Sequence, residues 1–194
     1  MNIFALDNNP KKAAQMMCDK HIVKMIIESF QMFSSVIDTN YDPAKISDDD
    51  HLRPSERLGM YGYPKSVAKH PCTKWIALSR GNYKWMLKHT RAMIIEYSRR
   101  YGKVHASEGM LMIVEGQMEH LMFAQERKTK FVQAMPDKVK DKDPVRGYRN
   151  YYNMYKFPFA RWKRSICPDW FVGGPLYFVS LEKNSAESPF LVDF

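Results

Sequence analysis

Between Cys18 and Phe33 the chain reads CDKHIVKMIIESFQMF, and five of its side chains can do chemistry: Lys20, His21, Lys24, Glu28 and Gln31. A carboxylate near a sugar stabilises cationic charge at the anomeric carbon or moves a proton. Lysine or histidine beside it holds phosphates or assists the transfer. With a helical turn of about 100° per residue, the five share an arc of about 100°. Ile22, Val23, Ile26, Ile27, Phe30 and Phe33 take the opposite arc, and Met25 and Met32 border the polar stripe. Such a narrow stripe predicts a largely buried helix whose polar residues line a cleft. The competing reading is a solvated face on which Lys24 and Glu28, four apart, form a pair worth roughly a few tenths of a kcal/mol.

A second cluster, KHPCTKW (Lys69 to Trp75), sits where Pro71 opens a helix. Free amides there, reinforced by Lys69, His70 and Lys74, make an anion site; otherwise Trp75 is core and His70 a cap. The third feature is a segment, 127–164, with twelve Lys or Arg and three acids, an excess equal to the net charge of +9 on the whole chain. Tyr148, Tyr151, Tyr152, Tyr155, Phe157, Phe159 and Trp162 interleave with those cations. Cations alternating with rings suit phosphate contact and base stacking. The tyrosines also recur at helical spacing, which places some of them in a core. Nucleic acid is the favoured partner, with Arg146, Arg149, Tyr152, Lys156 and Arg161 as contacts.

The elements that must position these residues are helical. Asn2 to Leu6 is a short strand or an extended lead-in. Asn9-Pro10 starts a helix that runs to about Val36, broken near Cys18-Asp19. A long loop follows over 38–65. Trp75, Leu78, Tyr83, Met86, Met93, Ile94 and Tyr97 predict a helix from Pro71 that Gly81 loosens or divides and Gly102 stops. Ser107 caps a helix to about Gln125, and Asp143-Pro144 starts one through about Tyr155. Gly173-Gly174-Pro175 is a turn, and LYFVS after it a short strand. The expected fold is an all-α, compact single-domain bundle spanning 1–194 with irregular termini.

At 194 residues and 45% hydrophobic, the chain is long and apolar enough for a real core. No apolar run reaches the ~18 residues of a membrane span, and MNIFALDNNPKK lacks the order of a secretory signal. The expected setting is the cytoplasm, with no membrane partner and a monomer as the default. Three cysteines argue against disulfide scaffolding. Cys18-x-x-His21 and His70-x-Cys72 supply four candidate zinc ligands, but the spacing fits no standard finger or ribbon, and buried thiols are the favoured reading. No metal and no cofactor are expected.

The block CDKHIVKMIIESFQMF resembles the catalytic helix of pyrimidine-dimer DNA glycosylases of the phage endonuclease V type. That helix has a D-x-H near its start and a glutamate seven residues after the histidine, matched here by Asp19, His21 and Glu28. HPCTKW and NYKWMLKHTRAMIIEYSRRYG resemble a later helix of the family, with Glu96 and Arg100 in its E-x-x-x-R-G ending and Tyr101 inserted before Gly102. YRNYYNMYK is similar to the family's aromatic, lysine-bearing C-terminal segment, and CDKH with HPCTKW looks closer to a bacterial branch of the family than to the phage enzymes. The resemblance implies a metal-free enzyme acting on a damaged or modified pyrimidine. In that family the N-terminal α-amine attacks the deoxyribose anomeric carbon, the base leaves, and elimination from the imine cuts the strand. The essential glutamate would be Glu28, assisted by Lys24 and His21. Lys20, Gln31, His70, Lys74 and Trp75 would join the basic segment in gripping DNA. Two departures stand out. Asn2 is large enough that Met1 stays, so the nucleophile is the Met1 amine, a lysine such as Lys24, or absent. The arginines flanking the family's glutamate fall on Ile27 and Gln31, leaving Lys20 and Lys24 to supply that charge. The rivals are an enzyme that modifies pyrimidines in phage or viral DNA on the same fold, and a basic DNA-binding protein without chemistry.

Overall fold

The computed structural model describes residues 1–45, 52–60 and 65–173. These residues form a helical protein without a sheet, the all-α architecture expected. Isolated bridges join Tyr41 to Leu121 and Ser79 to Gln125.

Local signals explain several boundaries. Helix α1 (Pro10–Gln15) is capped by Asn9, whose side-chain oxygen accepts from the amides of Lys11 and Lys12. The chain breaks as expected and re-enters helix as α2 (Asp19–Asn40). Helix α2 outlasts the expected end near Val36 because its last residue is tied down: the Asn40 amide donates to the carbonyls of Ala77 and Met122. The expected 38–65 loop therefore begins inside α2. It also contains a 3-10 turn (Pro43–Lys45), the single turn α3 (Pro54–Arg57) and the start of α4 (Lys65–Lys69). Its residues 46–51 and 61–64 lie outside the described residues, as do the expected strand LYFVS and the turn beyond Gly173.

The helix expected from Pro71 is two, α5 (Pro71–Leu78) and α6 (Arg80–Tyr101). The break is at Ser79, in extended conformation, whose hydroxyl accepts from the amides of Gly81 and Asn82. Gly81 does not divide the helix. It lets the first turn of α6 touch another backbone, since a Cβ there would lie 2.7 Å from the carbonyl carbon of Arg127. Gly81→Ala is expected to cost about 1–3 kcal/mol through that overlap. Urea unfolding checks this; wild-type stability in the variant would show that the two backbones separate freely.

Helix α6 ends at Gly102 in the left-handed conformation. Helix α7 (Met110–Gln117) starts after the expected Ser107 cap and stops well short of Gln125. Tertiary bonds override its pattern: Leu121 turns extended to meet Tyr41, and the Arg80 amide bonds the Gln125 carbonyl. Helix α8 (Pro144–Tyr151) is capped by Asp143 as expected, then widens into a π-helical turn (Tyr152–Lys156).

The core lies between α2, α5 and α6, with α1 across α6. Ile22, Ile26, Phe30 and Phe33 of α2 are buried there, as are Trp75, Trp85 and Phe131. Val23 and Ile27, expected on the buried arc, are 42% and 46% exposed. The solvent face of α2 thus centres on Lys20, Val23, Lys24 and Ile27, while twelve of its 22 residues are buried, so the helix is largely buried as expected. Behind its first turn sits a buried ionic cluster. Arg100 donates to Glu96 (2.7 Å), to Asp19 (2.9 Å) and to the carbonyls of Gln15 and Met17, joining the α1–α2 break to the end of α6.

Candidate active site

The first six residues are not a strand but an irregular lead-in that turns at Phe4, where the Leu6 amide donates to the Phe4 carbonyl (2.7 Å), and Asn2 to Leu6 are all buried. Asn2 anchors them. Its side-chain oxygen accepts from the amides of Ile3 and Phe4, and its amide donates to the Ala134 carbonyl (2.9 Å). Phe4 takes a left-handed backbone (φ 37°), which costs a non-glycine residue roughly 1 kcal/mol or more, and its ring stacks on His21 at 4.3 Å.

This anchoring brings the start of the chain to the polar stripe of α2. The Met1 α-nitrogen lies 3.6 Å from Oε2 of Glu28, and Lys24 Nζ lies 3.3 Å from Oε1. The Met1 and Glu28 side chains are 15% and 13% exposed, whereas that of Lys24 is 69% exposed. Met1, Lys24 and Glu28 share a cavity of about 150 Å³ with Asn2, Phe4, His21, Met25, Tyr151 and Lys156. Lys156 donates to the Tyr151 hydroxyl (3.0 Å) from the far wall. Three cations around one shielded carboxylate suit a sugar flanked by phosphates.

His21 is not a charged member of this group. Burial, and then the neighbouring Lys156, Lys24 and Lys20, lower its pKa to about 3. Its Nδ1 lies 2.5 Å from the Tyr152 hydroxyl. Burial likewise pushes His89 down to about 4, although its Nδ1 bonds the Pro10 carbonyl. Both folded values lie below the ordinary 6.5, so the unfolded chain takes up protons first as the solution is acidified. Stability is therefore expected to fall as pH drops from about 6.5 toward 4 and on toward 3. Thermal melts across that range test this; a flat Tm would show that neither histidine is held neutral.

The remaining site residues divide. Lys20 is exposed, with its ammonium 5.0 Å from the centre of the Phe159 ring. Gln31 is half-buried on the same helix. His70 caps α5, accepting from the Cys72 amide, and burial, with the Met1 ammonium next, lowers its pKa while Glu28 opposes. Its ring thus senses the site from a second element. Lys74 is exposed. Trp75 is core, its indole N–H donating to the Lys130 carbonyl. Tyr152 is fully buried. Arg146 pairs with Asp141 (2.8 Å), and Arg161 donates to nearby carbonyls of its own segment. Arg149 faces away, bonding the Leu6 carbonyl beside Trp170. Asn2, Phe4 and Tyr151 line the cavity without having been singled out as site residues. Tyr151 had a signal, its place among the tyrosines, but spacing alone does not say which ring faces the cavity.

Arg149 belongs to a larger cavity of about 820 Å³ between α1, the end of α6 and residues 165–170. It holds the ion pairs Arg99–Glu96 (2.5 Å) and Arg149–Asp7 (3.7 Å), and no residue of the polar stripe of α2 lines it. Among the described residues no three His, Cys, Asp or Glu side chains converge as metal ligands, and no helix is long and apolar enough to cross a membrane.

A family model described as pyrimidine dimer DNA glycosylase matches residues 1–108. That span contains Met1, His21, Lys24, Glu28 and His70 but not Tyr151 or Lys156. No curated protein and no solved structure matches the chain.

Proposed function

Since the chain belongs to the pyrimidine dimer DNA glycosylase family, we propose that its smaller cavity excises a damaged or modified pyrimidine from DNA and then acts as a lyase at the abasic sugar, with the Met1 α-amine as nucleophile and Glu28 as its partner. The observation that carries this reading is the 3.6 Å approach of the Met1 nitrogen to Glu28 in a shielded cavity. The amine, once its ammonium proton has gone to solvent, attacks C1′, the C1′–N1 bond breaks, and the base leaves with that electron pair. The proton made surplus by the new C–N bond passes to Glu28 and on to the base. The nitrogen lone pair forms the imine as the C1′–O4′ bond breaks, and O4′ takes the remaining N–H proton. Glu28, ionised again, takes a C2′ proton, and the C3′–O bond breaks to release the 3′ phosphate. Lys24 and Lys156 face the phosphates on either side of the extruded sugar, and extrusion costs a few kcal/mol. Lys20, Lys74 and Arg161 extend the basic surface, which predicts binding that weakens steeply with salt.

The test is borohydride trapping on duplexes carrying a thymine dimer or an abasic site. A covalent adduct at residue 1, located by peptide mapping, is the expected result. Trapping that survives chemical blocking of the α-amine moves the nucleophile to Lys24. DNA that is bound but never altered, equally by wild type and Glu28→Gln, leaves only a binding module.

A further inference from the structure

His21 and Tyr152 carry a further inference, which rests on the reaction proposed above. The Tyr152 hydroxyl lies 2.5 Å from His21 Nδ1, with Cys18 also beside it. Imidazole nitrogen is a far better acceptor for the phenolic proton than a thiol sulfur. With the phenol donating, Nδ1 of His21 accepts and the single ring proton sits on Nε2. Phe4 stacked at 4.3 Å and Phe159 edge-on at 5.5 Å hold the ring in that orientation. His21 lines the cavity, and Nδ1 is taken, so the Nε2 edge is the one left for a ligand. The Met1 ammonium, Lys24, Glu28 and Lys156 share that cavity, and Lys20 adds its field.

We propose that His21 is a neutral hydrogen-bond donor to the O2 carbonyl of the departing pyrimidine, and that Tyr152 is the positioning residue that fixes its tautomer. When the C1′–N1 bond breaks, the electron pair spreads from N1 onto O2. A fixed donor at that oxygen stabilises the charge as it develops. The proton stays on Nε2 throughout, and the base is neutralised afterwards by the proton released from the amine through Glu28.

The test compares Tyr152→Phe, His21→Leu and His21→Gln on a thymine-dimer duplex and on the same duplex with an abasic site. Removing such a donor is expected to slow single-turnover base release about 100-fold or more in His21→Leu, and Tyr152→Phe, which keeps the ring but frees its tautomer, is expected to slow it less. Glutamine restores an N–H near the Nε2 position, so His21→Gln is expected to recover part of the rate. All three are expected to lose far less of the rate of trapping on abasic DNA than of base release, because no base has to leave. Equal loss on both substrates overturns the proposal. Failure of the wild type to trap abasic DNA overturns the underlying lyase reading instead. Nitrogen NMR of the wild type reads the tautomer directly: an Nε2–H form unchanged between about pH 5 and 8 is expected, and an Nδ1–H form overturns the assignment even if a variant fails to fold.

Discussion

Glu28→Gln is expected to lower single-turnover strand cleavage by about 100- to 10,000-fold, the range for losing a positioned proton acceptor. Glutamine keeps the size of the side chain and its place on α2 but cannot take the amine's proton. The Met1 ammonium and Lys24 would then face a neutral amide at the distances that now hold a carboxylate, 3.6 and 3.3 Å. DNA affinity is expected to hold or rise slightly, because a negative charge leaves a basic surface. The two effects separate in one experiment. Binding is read by fluorescence anisotropy, and chemistry by single-turnover cleavage and borohydride trapping. A variant that binds normally and cleaves normally removes Glu28 from the mechanism.

Arg100→Leu is expected to cost about 3 kcal/mol, the lower end of what breaking a buried ion pair costs. The lower end applies because the partners are not wholly abandoned. Glu96 keeps Arg99 at 2.5 Å, and Asp19 keeps the Lys163 amide at 2.8 Å. At about 2–4 °C per kcal/mol for a chain of this size, the melting temperature should fall by about 6–12 °C. The effect has a pH signature. Burial pushes the Glu96 carboxyl up, but hydrogen bonds from Arg99 and Arg100 outweigh it and hold it below the usual range. A depressed carboxyl contributes stability above its unfolded pKa and loses it as pH falls through the folded value. The gap between wild type and variant should therefore narrow in acid. A gap that stays constant with pH would show that Arg100 acts by packing alone.

Local signals wrote much of this fold visibly. Asn9-Pro10, Gly102 and Asp143-Pro144 act within a turn or two of themselves, and each boundary stands where the residues put it. The misread boundaries depend on distant partners. Helix α7 stops where Leu121 and Gln125 leave to bond Tyr41 and Arg80, and the break at Ser79 is reinforced by its hydroxyl donating to the Arg127 carbonyl. The amphipathic wheel of α2 put His21, Lys24 and Glu28 on the stripe that lines the cavity, but it also placed Lys20 and Gln31 there, which do not line it, and misjudged Val23 and Ile27, because periodicity gives a stripe and not which neighbours cover it. The size of Asn2 suggested that Met1 stays. Its bond to Ala134, which sets where the amine lies, spans 132 positions and has no local signature.

The contact between His21 and Tyr152 spans 131 positions. On a translating ribosome the amine and Glu28 emerge early, but the wall made by Tyr151 and Lys156 arrives only after about 120 more residues. At roughly 5–20 residues per second that delay is about 6–24 seconds. A nascent chain thus carries the proposed nucleophile, the Met1 amine, without the wall that would shield and aim it until synthesis passes residue 156.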